Sequence, residues 1–504
     1  MKRNSTARIL RAVFAPSLAL LSLFLLTGAS LAQSPHLAAT NHKTQSAQPA
    51  QTTVPALLVS DIHFEPFGDP AKAPQLAAAP ASQWQAILAA PPSPDQQKRF
   101  QALQQACNVR GADTSFALFE SSLKAMRSHA TGVGFVAVSG DLVSHAFQCE
   151  YHELFPHSPP GGYRAFAEKT LAYVMGELNT AFPGRPVYLA LGNNDSDCGD
   201  YRLDAHSEFL EAVGMEVTRS FPAAERAAAE ESFAAGGYYS VSLPAPIENA
   251  RLLVLNDLFM SKNYAACNGK ADPGAADAEL AWLRQQLDDA RANKQKIWVM
   301  GHIPPGVDVY STAKRMTNIC GGQKPVMFLS SEKMADVLSA NGDVIELTIF
   351  AHTHMDELRL LKENGQTPPS SLGIAVKMVP SISPIHGNSP SFVVAQVDRS
   401  SAALKDYRVF VASNQTGVNA KWTEEYDFAR SFHAAEFTSS SVSKLVSRFA
   451  TDPSAATEAS QAYIRNFLAG TSSPLLSLVW PEYVCSLSND TAQAFKDCVC
   501  PVAH

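Results

Sequence analysis

The sequence predicts an α/β fold in which layered sheet strands alternate with helices, and three observations carry that prediction. Five short, mostly apolar runs lack polar alternation, as strands buried on both faces do. Stretches of helical spacing lie between them. Each run stops at polar residues, which places those residues on loops at one sheet edge, where such folds put their sites.

The five runs are PALLVSDIH, GFVAVSGDLVSH, PVYLALGNND, KIWVMGH and LTIFAHTH, in chain order. Between them, Ser115–Ser128 carries Phe116, Leu118, Phe119, Leu123 and Met126 on one helical face. Ala276–Ala292 does the same with Leu280, Leu283, Leu287 and Ala290. Residues 66–106 are rich in Ala, Pro and Gln and read as an insertion without a clear pattern. Residues 413–504 show helical spacing with cysteines and no further strand-and-ligand unit, so a small helical C-terminal subdomain is expected after a main domain over 54–412.

The N-terminus reads as an export signal over residues 1–32, or alternatively an uncleaved anchor. Lys2, Arg3, Arg8 and Arg11 precede an apolar stretch, Val13 to Leu26, and Ser30 and Ala32 suit a cleavage site. Residues 33–53 are small, polar and free of acids, as a flexible leader is. The expected location is therefore periplasmic or secreted. Asn414 and Asn489 stand in N-x-T sequons, which matter only in a host that glycosylates.

The 504 residues are 46% hydrophobic and 17% charged, which excludes wholesale disorder. The net charge of −7 leaves no basic excess to neutralise a phosphate backbone, so a nucleic-acid-coating role is excluded. All eight cysteines follow the signal, and an even number in an oxidising compartment implies disulfides. Cys267 and Cys320 flank the segment leading to His302 and are expected to pair. Cys485 is expected to pair with Cys498 or Cys500. No cysteine lies in a nucleophile motif or a recognisable zinc spacing.

The strand exits carry Asp61, His63, Asp141, Asn193, His302, His352 and His354. Two carboxylates, one amide and four imidazoles suit two borderline divalent ions held by nitrogen and oxygen. Alternate residues of D-x-H and H-x-H point the same way on an extended loop, and one carboxylate can bridge two ions roughly 3.5–4 Å apart. Each motif alone is weak: a single GD or GN after a strand is usually a turn. Five in one order, each after an apolar run, are not a chance product.

This order, D-x-H, G-D, G-N-[H/N]-[D/E], G-H, [G/A]-H-T-H, resembles the signature of calcineurin-like metallophosphoesterases. SDIHFEP, SGDLVSH, GGYYSVSL, WLRQQLDDA, VMGHIPPG and FAHTHMDEL are similar to the acid sphingomyelinase and acid-sphingomyelinase-like phosphodiesterase branch. The resemblance implies a metallophosphoesterase β-sandwich flanked by helices. It implies two divalent metal ions, zinc first and Mn2+ or Fe2+ as alternatives. Asp61, His63, Asp141 and His354 would hold one, Asp141, Asn193, His302 and His352 the other, with Asp141 the bridge. It further implies hydrolysis of a phosphoric ester, sphingomyelin-like or a nucleotide phosphodiester, by a metal-bridging hydroxide.

His145 occupies the offset at which this branch carries a histidine near the scissile phosphate, so it is the candidate general acid. Asn194 stands where most of the family has a histidine; an amide cannot donate a proton as an acid but can bond a phosphate oxygen. G-N-N-D and PSISPIHGNSPSF also resemble fungal endopolyphosphatases, which keeps a phosphoanhydride substrate open and makes His386 either a substrate-side group or a loop histidine. Ser144 stands where a purple acid phosphatase needs a tyrosine, so an iron–tyrosinate site is not expected. A secreted binding protein that kept the fold and lost the chemistry is the alternative of another class. The expected partners are a small-molecule or lipid phosphodiester, with peripheral membrane-surface contact and a monomeric state.

Overall fold

The computed structural model describes residues 52–362 and 373–500; the expected signal and all but the end of the leader lie outside them. Two six-stranded sheets face each other. The first contains β1 (Thr53–Val59), β2 (Phe135–Val138), β3 (Val187–Leu189), β10 (Ser391–Asp398), β11 (Leu404–Ala412) and β12 (Trp422–Asp427), in the order β12-β11-β10-β1-β2-β3. The second contains β4 (Tyr239–Ser242), β5 (Ala250–Val254), β6 (Lys296–Met300), β7 (Ile345–Phe350), β8 (Glu357–Leu361) and β9 (Ile374–Met378), in the order β4-β5-β6-β7-β9-β8.

All five apolar runs form strands: β1, β2 and β3 run parallel in one sheet, with β3 at its edge, and β6 and β7 run parallel at the centre of the other. Burial on both faces explains their missing alternation. In β6, Trp298 and Met300 enter the core between the sheets, while Ile297 and Val299 pack with Leu280, Leu283 and Leu287 of the helix Pro273–Ala292 outside. The sheets also meet through polar contacts. The Tyr239 hydroxyl donates to the Leu189 carbonyl at 3.1 Å and accepts from the Leu189 amide at 2.9 Å. The helix expected at Ser115–Ser128 is Phe116–His129, started by the Ser115 side chain accepting from the Leu118 amide.

Several expectations need correction. Residues 66–106 are not patternless: they form the helices Ala73–Ala78, Trp84–Ala89 and Gln96–Ala106, pinned by buried Trp84, whose indole donates to the Leu76 carbonyl at 3.0 Å. Beyond residue 412 the first element is a strand, β12, paired antiparallel with β11 at the sheet edge; its exposed, acid-rich stretch hid the alternation. Six helices follow, from Phe428–Phe432 to Ala492–Val499.

The cysteines form four bonds: Cys107–Cys149, Cys198–Cys267, Cys320–Cys500 and Cys485–Cys498. The expected Cys267–Cys320 pair is absent. The segment before Cys267 instead bonds the 201–203 segment, with the Ala265 amide donating to the Tyr201 carbonyl at 3.0 Å, and this carries Cys267 to Cys198. Cys485 takes the nearer of its two expected partners, leaving Cys500 for Cys320. No helix among the described residues is long and apolar enough to cross a membrane.

Candidate metal centre

The strand-exit loops bring the seven expected ligand residues together, and all but half-buried His352 are nearly inaccessible to solvent. Asp141, after β2, is the hub. Its Oδ2 lies 3.5 Å from His63 Nε2 and 3.2 Å from His302 Nε2. On one side, Asp61 Oδ1 is 3.3 Å from His354 Nε2, and His354 Nε2 is 3.2 Å from His63 Nε2. On the other, His302 Nε2 is 3.2 Å from Asn193 Oδ1. Two groups with ligand atoms within 4.8 Å, Asp61–His63–Asp141 and Asp141–His302–His352, therefore share Asp141.

Local backbone geometry aims these side chains. Asp61, His63, Asp141, His352 and His354 all have positive φ, between 43° and 70°, a strained region for such residues. The preceding glycines are required by space. A Cβ on Gly192 would lie 2.1 Å from Asp141 Oδ1, and one on Gly140 2.6 Å from His302 Nδ1. That is the physical content of G-D and G-N in this chain.

A surrounding set of hydrogen bonds orients the ligands. His63 Nδ1 donates to the Val143 carbonyl at 2.9 Å and His302 Nδ1 to the Ser139 carbonyl at 2.7 Å, so Nε2 of each is left as the ligating atom. The Asn193 amide nitrogen donates to Asp200 at 2.8 Å, which turns its oxygen inward. Asp195 accepts from the amides of Leu142, Val143 and Gly192, sewing two ligand loops together. Asp257 accepts from the amides of His302 and Ile303. The sequence reading missed Asp113, Asp195, Asp200, Tyr201 and Asp257. Asp195 sits inside G-N-N-D and was visible there; the others carry no spacing signal.

Burial works against charge at this site, yet Asp141 prevails. Burial alone would lower the histidines, but Asp141 raises His63 to about 9 and His302 to about 10. The Asp141 carboxyl is itself far below its ordinary range; burial opposes this, and His302 and His63 outweigh it. Burial and His302 pull His352 down to about 3, and burial with neighbouring imidazoles pulls His354 well below its ordinary value. Both are thus neutral imidazoles, the form that ligates metals.

The residues fit two divalent cations. Both carboxylate oxygens of Asp61 and Nδ1 of His354 are buried without a hydrogen-bond partner, an arrangement that costs several kcal/mol unless a ligand meets it. The field that draws protons to His63 and His302 would draw cations in their place.

His145 lies beside the cluster, its ring stacked on His63 at 3.9 Å between centroids. Its side chain is 30% exposed, unlike the ligands, and lines the cavity above them. Its amide donates to Asp113 at 2.7 Å and its Nδ1 to the same carboxylate at 3.1 Å. Ser383 donates to Asp113 as well, at 2.7 Å. Burial would raise Asp113, but His145 holds it below its ordinary range. Asn194 does not stand free: one amide hydrogen goes to Asp141 Oδ2 at 2.9 Å, and its backbone amide goes to Asp141 Oδ1 at 2.8 Å. His386 joins the cavity wall, 4.5 Å from the His354 ring.

A family model described as calcineurin-like phosphoesterase matches residues 54–356. The chain is 26% identical to the acid sphingomyelinase-like phosphodiesterase 3b of Mus musculus over 78% of this chain and 79% of that protein. It is 26% identical to a cyclic GMP-AMP phosphodiesterase of Mus musculus over 68% of this chain and 75% of that one. A solved structure, a dimetal phosphatase from Danio rerio, is similar over 74% of this chain and 99% of its own, at 12% identity and a TM-score of 0.39. The match to the family model over more than half of the chain, together with the site that the strand exits assemble, identifies the chain as a member of the calcineurin-like phosphoesterase family and a metal-dependent phosphoric ester hydrolase.

Proposed function

We propose that this chain is an exported phosphodiesterase with two divalent metals, zinc first. Asp61, His63, Asp141 and His354 would hold one ion, and Asp141, Asn193, His302 and His352 the other. The observation that carries the reading is the convergence of these residues on Asp141, with two orphaned oxygens on Asp61. Bound cations supply Lewis acidity toward the phosphoryl group and lower the pKa of water.

The remaining work falls to the chain's own groups. Asp113 fixes the His145 ring through Nδ1, which leaves Nε2 as the proton-bearing atom toward the leaving oxygen. Ser383 holds Asp113 in turn. Asn194 is a positioning residue on Asp141, and its second amide hydrogen remains for a phosphate oxygen. Four disulfides support export, since such bonds persist in oxidising compartments. Leu475 and Leu478, 45% and 78% exposed, support a peripheral membrane contact by the monomer.

The test is metal analysis of the purified chain with turnover of bis-p-nitrophenyl phosphate before and after chelation. Two equivalents of metal and chelator-sensitive turnover are expected. Full turnover in metal-free protein would sink the reading.

A further inference from the structure

A cavity of about 530 Å³, within the range of small-molecule sites, shares no lining residue with the one above the metal ligands. It runs between the end of the helix Phe147–Leu154 and the start of the helix Gly162–Ala181. Gly162, Ala165, Phe166 and Lys169 line it at i, i+3, i+4 and i+7, one helix face over two turns, about 10 Å of length. Leu154, Phe155 and Ala77 extend the apolar wall. Lys169 turns its ammonium to the Ala77 carbonyl at 2.6 Å, which leaves its alkyl stem for that wall. The titratable lining residues are Tyr151, His157 and Lys169, and none is an acid.

One end of the cavity is polar and unmet. A Cβ on Gly162 would lie 2.7 Å from Tyr151 Oη and 3.3 Å from Ser158 Cβ, so glycine lets both side chains crowd the first residue of the second helix. Tyr151 is 4% exposed, and its ring is fixed against Phe155, Tyr163 and Phe166 at 4.8 to 5.6 Å between centroids. Tyr151 and Ser158 line the cavity, and neither hydroxyl has a hydrogen-bond partner among the described residues. A buried donor held rigidly in this way is costly to leave unmet. The helix also begins there with Gly161 as N-cap, no side-chain cap and no acid in its first turn, so its positive end is available to an anion.

We infer that this cavity binds a free fatty acid, with its carboxylate at the Tyr151 hydroxyl and the helix N-terminus and its alkyl chain along Ala165, Phe166, Phe155 and Leu154. A carboxylate is an acceptor only, which suits hydroxyl donors, a helix N-terminus and a wall without acids. A phosphate head would call for a free guanidinium fork, and Arg164 in the same turn is committed to Glu168 and Glu208.

Calorimetry on the full chain, with its metals loaded and inorganic phosphate saturating them, tests the site with decanoate as the probe. Wild type should bind one equivalent, and decanol should bind at least about tenfold more weakly, since it brings no charge to the helix end. Tyr151→Phe keeps the ring and removes the hydroxyl, and should weaken decanoate about five- to tenfold. Ala165→Glu, at an exposed position of the groove, sets a carboxylate beside the ligand and should weaken it by more than about tenfold. Both variants should turn over bis-p-nitrophenyl phosphate at the wild-type rate, which separates this site from the metal centre. No decanoate binding by wild type, equal binding of decanol, or unchanged decanoate binding in both variants would overturn the site. Binding of phosphatidylcholine vesicles that Ala165→Glu abolishes, with no binding of decanoate, would make the same face a membrane contact and overturn it too.

Discussion

Two clusters of buried charge adjoin the same loop, and they differ in whether their carboxylates are met. Around His352 and His354, the Asp61 oxygens and His354 Nδ1 have no hydrogen-bond partner. Two residues further on, Asp356 pairs with Lys377 and accepts from the Tyr426 hydroxyl at 2.7 Å. Glu357 accepts from Arg359 at 3.2 Å, Tyr483 at 2.7 Å and Thr353 at 2.6 Å. The second cluster ties β8 and β9 to the C-terminal helices and reaches no ligand. Low dielectric makes an unmet charge costly, so unmet oxygens converging with imidazoles on one point mark a place for a cation. Closed networks mark architecture.

The sharpest way to break this comparison is Asp141→Asn. It should lower kcat/KM on a phosphodiester by at least about 10³-fold and empty both metal positions, because the proposed assignment has Asp141 serve both. Metal content with turnover checks it; full occupancy with near-wild-type rate would remove the hub. Next in size, His145→Ala should cost roughly 10²–10⁴-fold on a poor leaving group and far less on a p-nitrophenyl ester, with metal content unchanged. Equal losses on both esters would reduce His145 to a phosphate-positioning role.

In the closed cluster the expected effect is on stability instead. Lys377→Met leaves Asp356 buried without its cation and should cost about 3–5 kcal/mol in denaturant unfolding, while turnover per folded molecule is retained. A loss of turnover with unchanged stability would show that the two clusters are one.

The smallest effect concerns Glu425, on β12 beside this network. Burial first, then Asp356, pushes its carboxyl up to about 8 against the Gly470 amide and Lys377. It is protonated when folded and ionised when unfolded between about pH 4.5 and 8, so the folded state binds the extra proton there. Stability should therefore fall as pH rises through this window, with the loss complete above 8. Glu425→Gln should remove that slope, raising Tm above wild type by ~1–2 °C at pH 8 and leaving it unchanged at pH 4. Parallel pH curves for the two proteins would refute the assignment.

The metal-side residues were legible in the sequence because each follows a buried strand and each needs a glycine or a positive φ to aim it, which leaves a short local motif. Most of the closed cluster was not. Lys377, Arg359, Tyr426 and Tyr483 meet through long-range packing, and nothing in local spacing distinguishes a buried lysine from an exposed one. Asp113 illustrates the same limit within the site: it lies 32 residues from His145 and carries no motif, yet it orients the ring. Strands β8 to β12 were missed because their pairings, antiparallel except for β9 on β7, are set by partners rather than by a terminal ligand. The disulfide partner of Cys267 was misjudged for a related reason, since proximity to a helix and strand in sequence said nothing of the bridge to residues 201–203.

The bond between Cys320 and Cys500 has a consequence in the order of synthesis. Cys320 follows the short helix that carries Ser311 and leads to Arg315 on the cavity wall, and its partner lies beyond every strand and helix named above. Both sheets can assemble while the chain is still emerging, but this covalent tie cannot close until the chain has been made through Cys500 and the thiols have met an oxidant. A polypeptide stopped just before Cys500 would retain every metal-side residue named above and still lack the fastening of its cavity rim. The rim of the cavity is thereby fastened later than any of the metal-side loops beneath it, by a bond that forms only under oxidation.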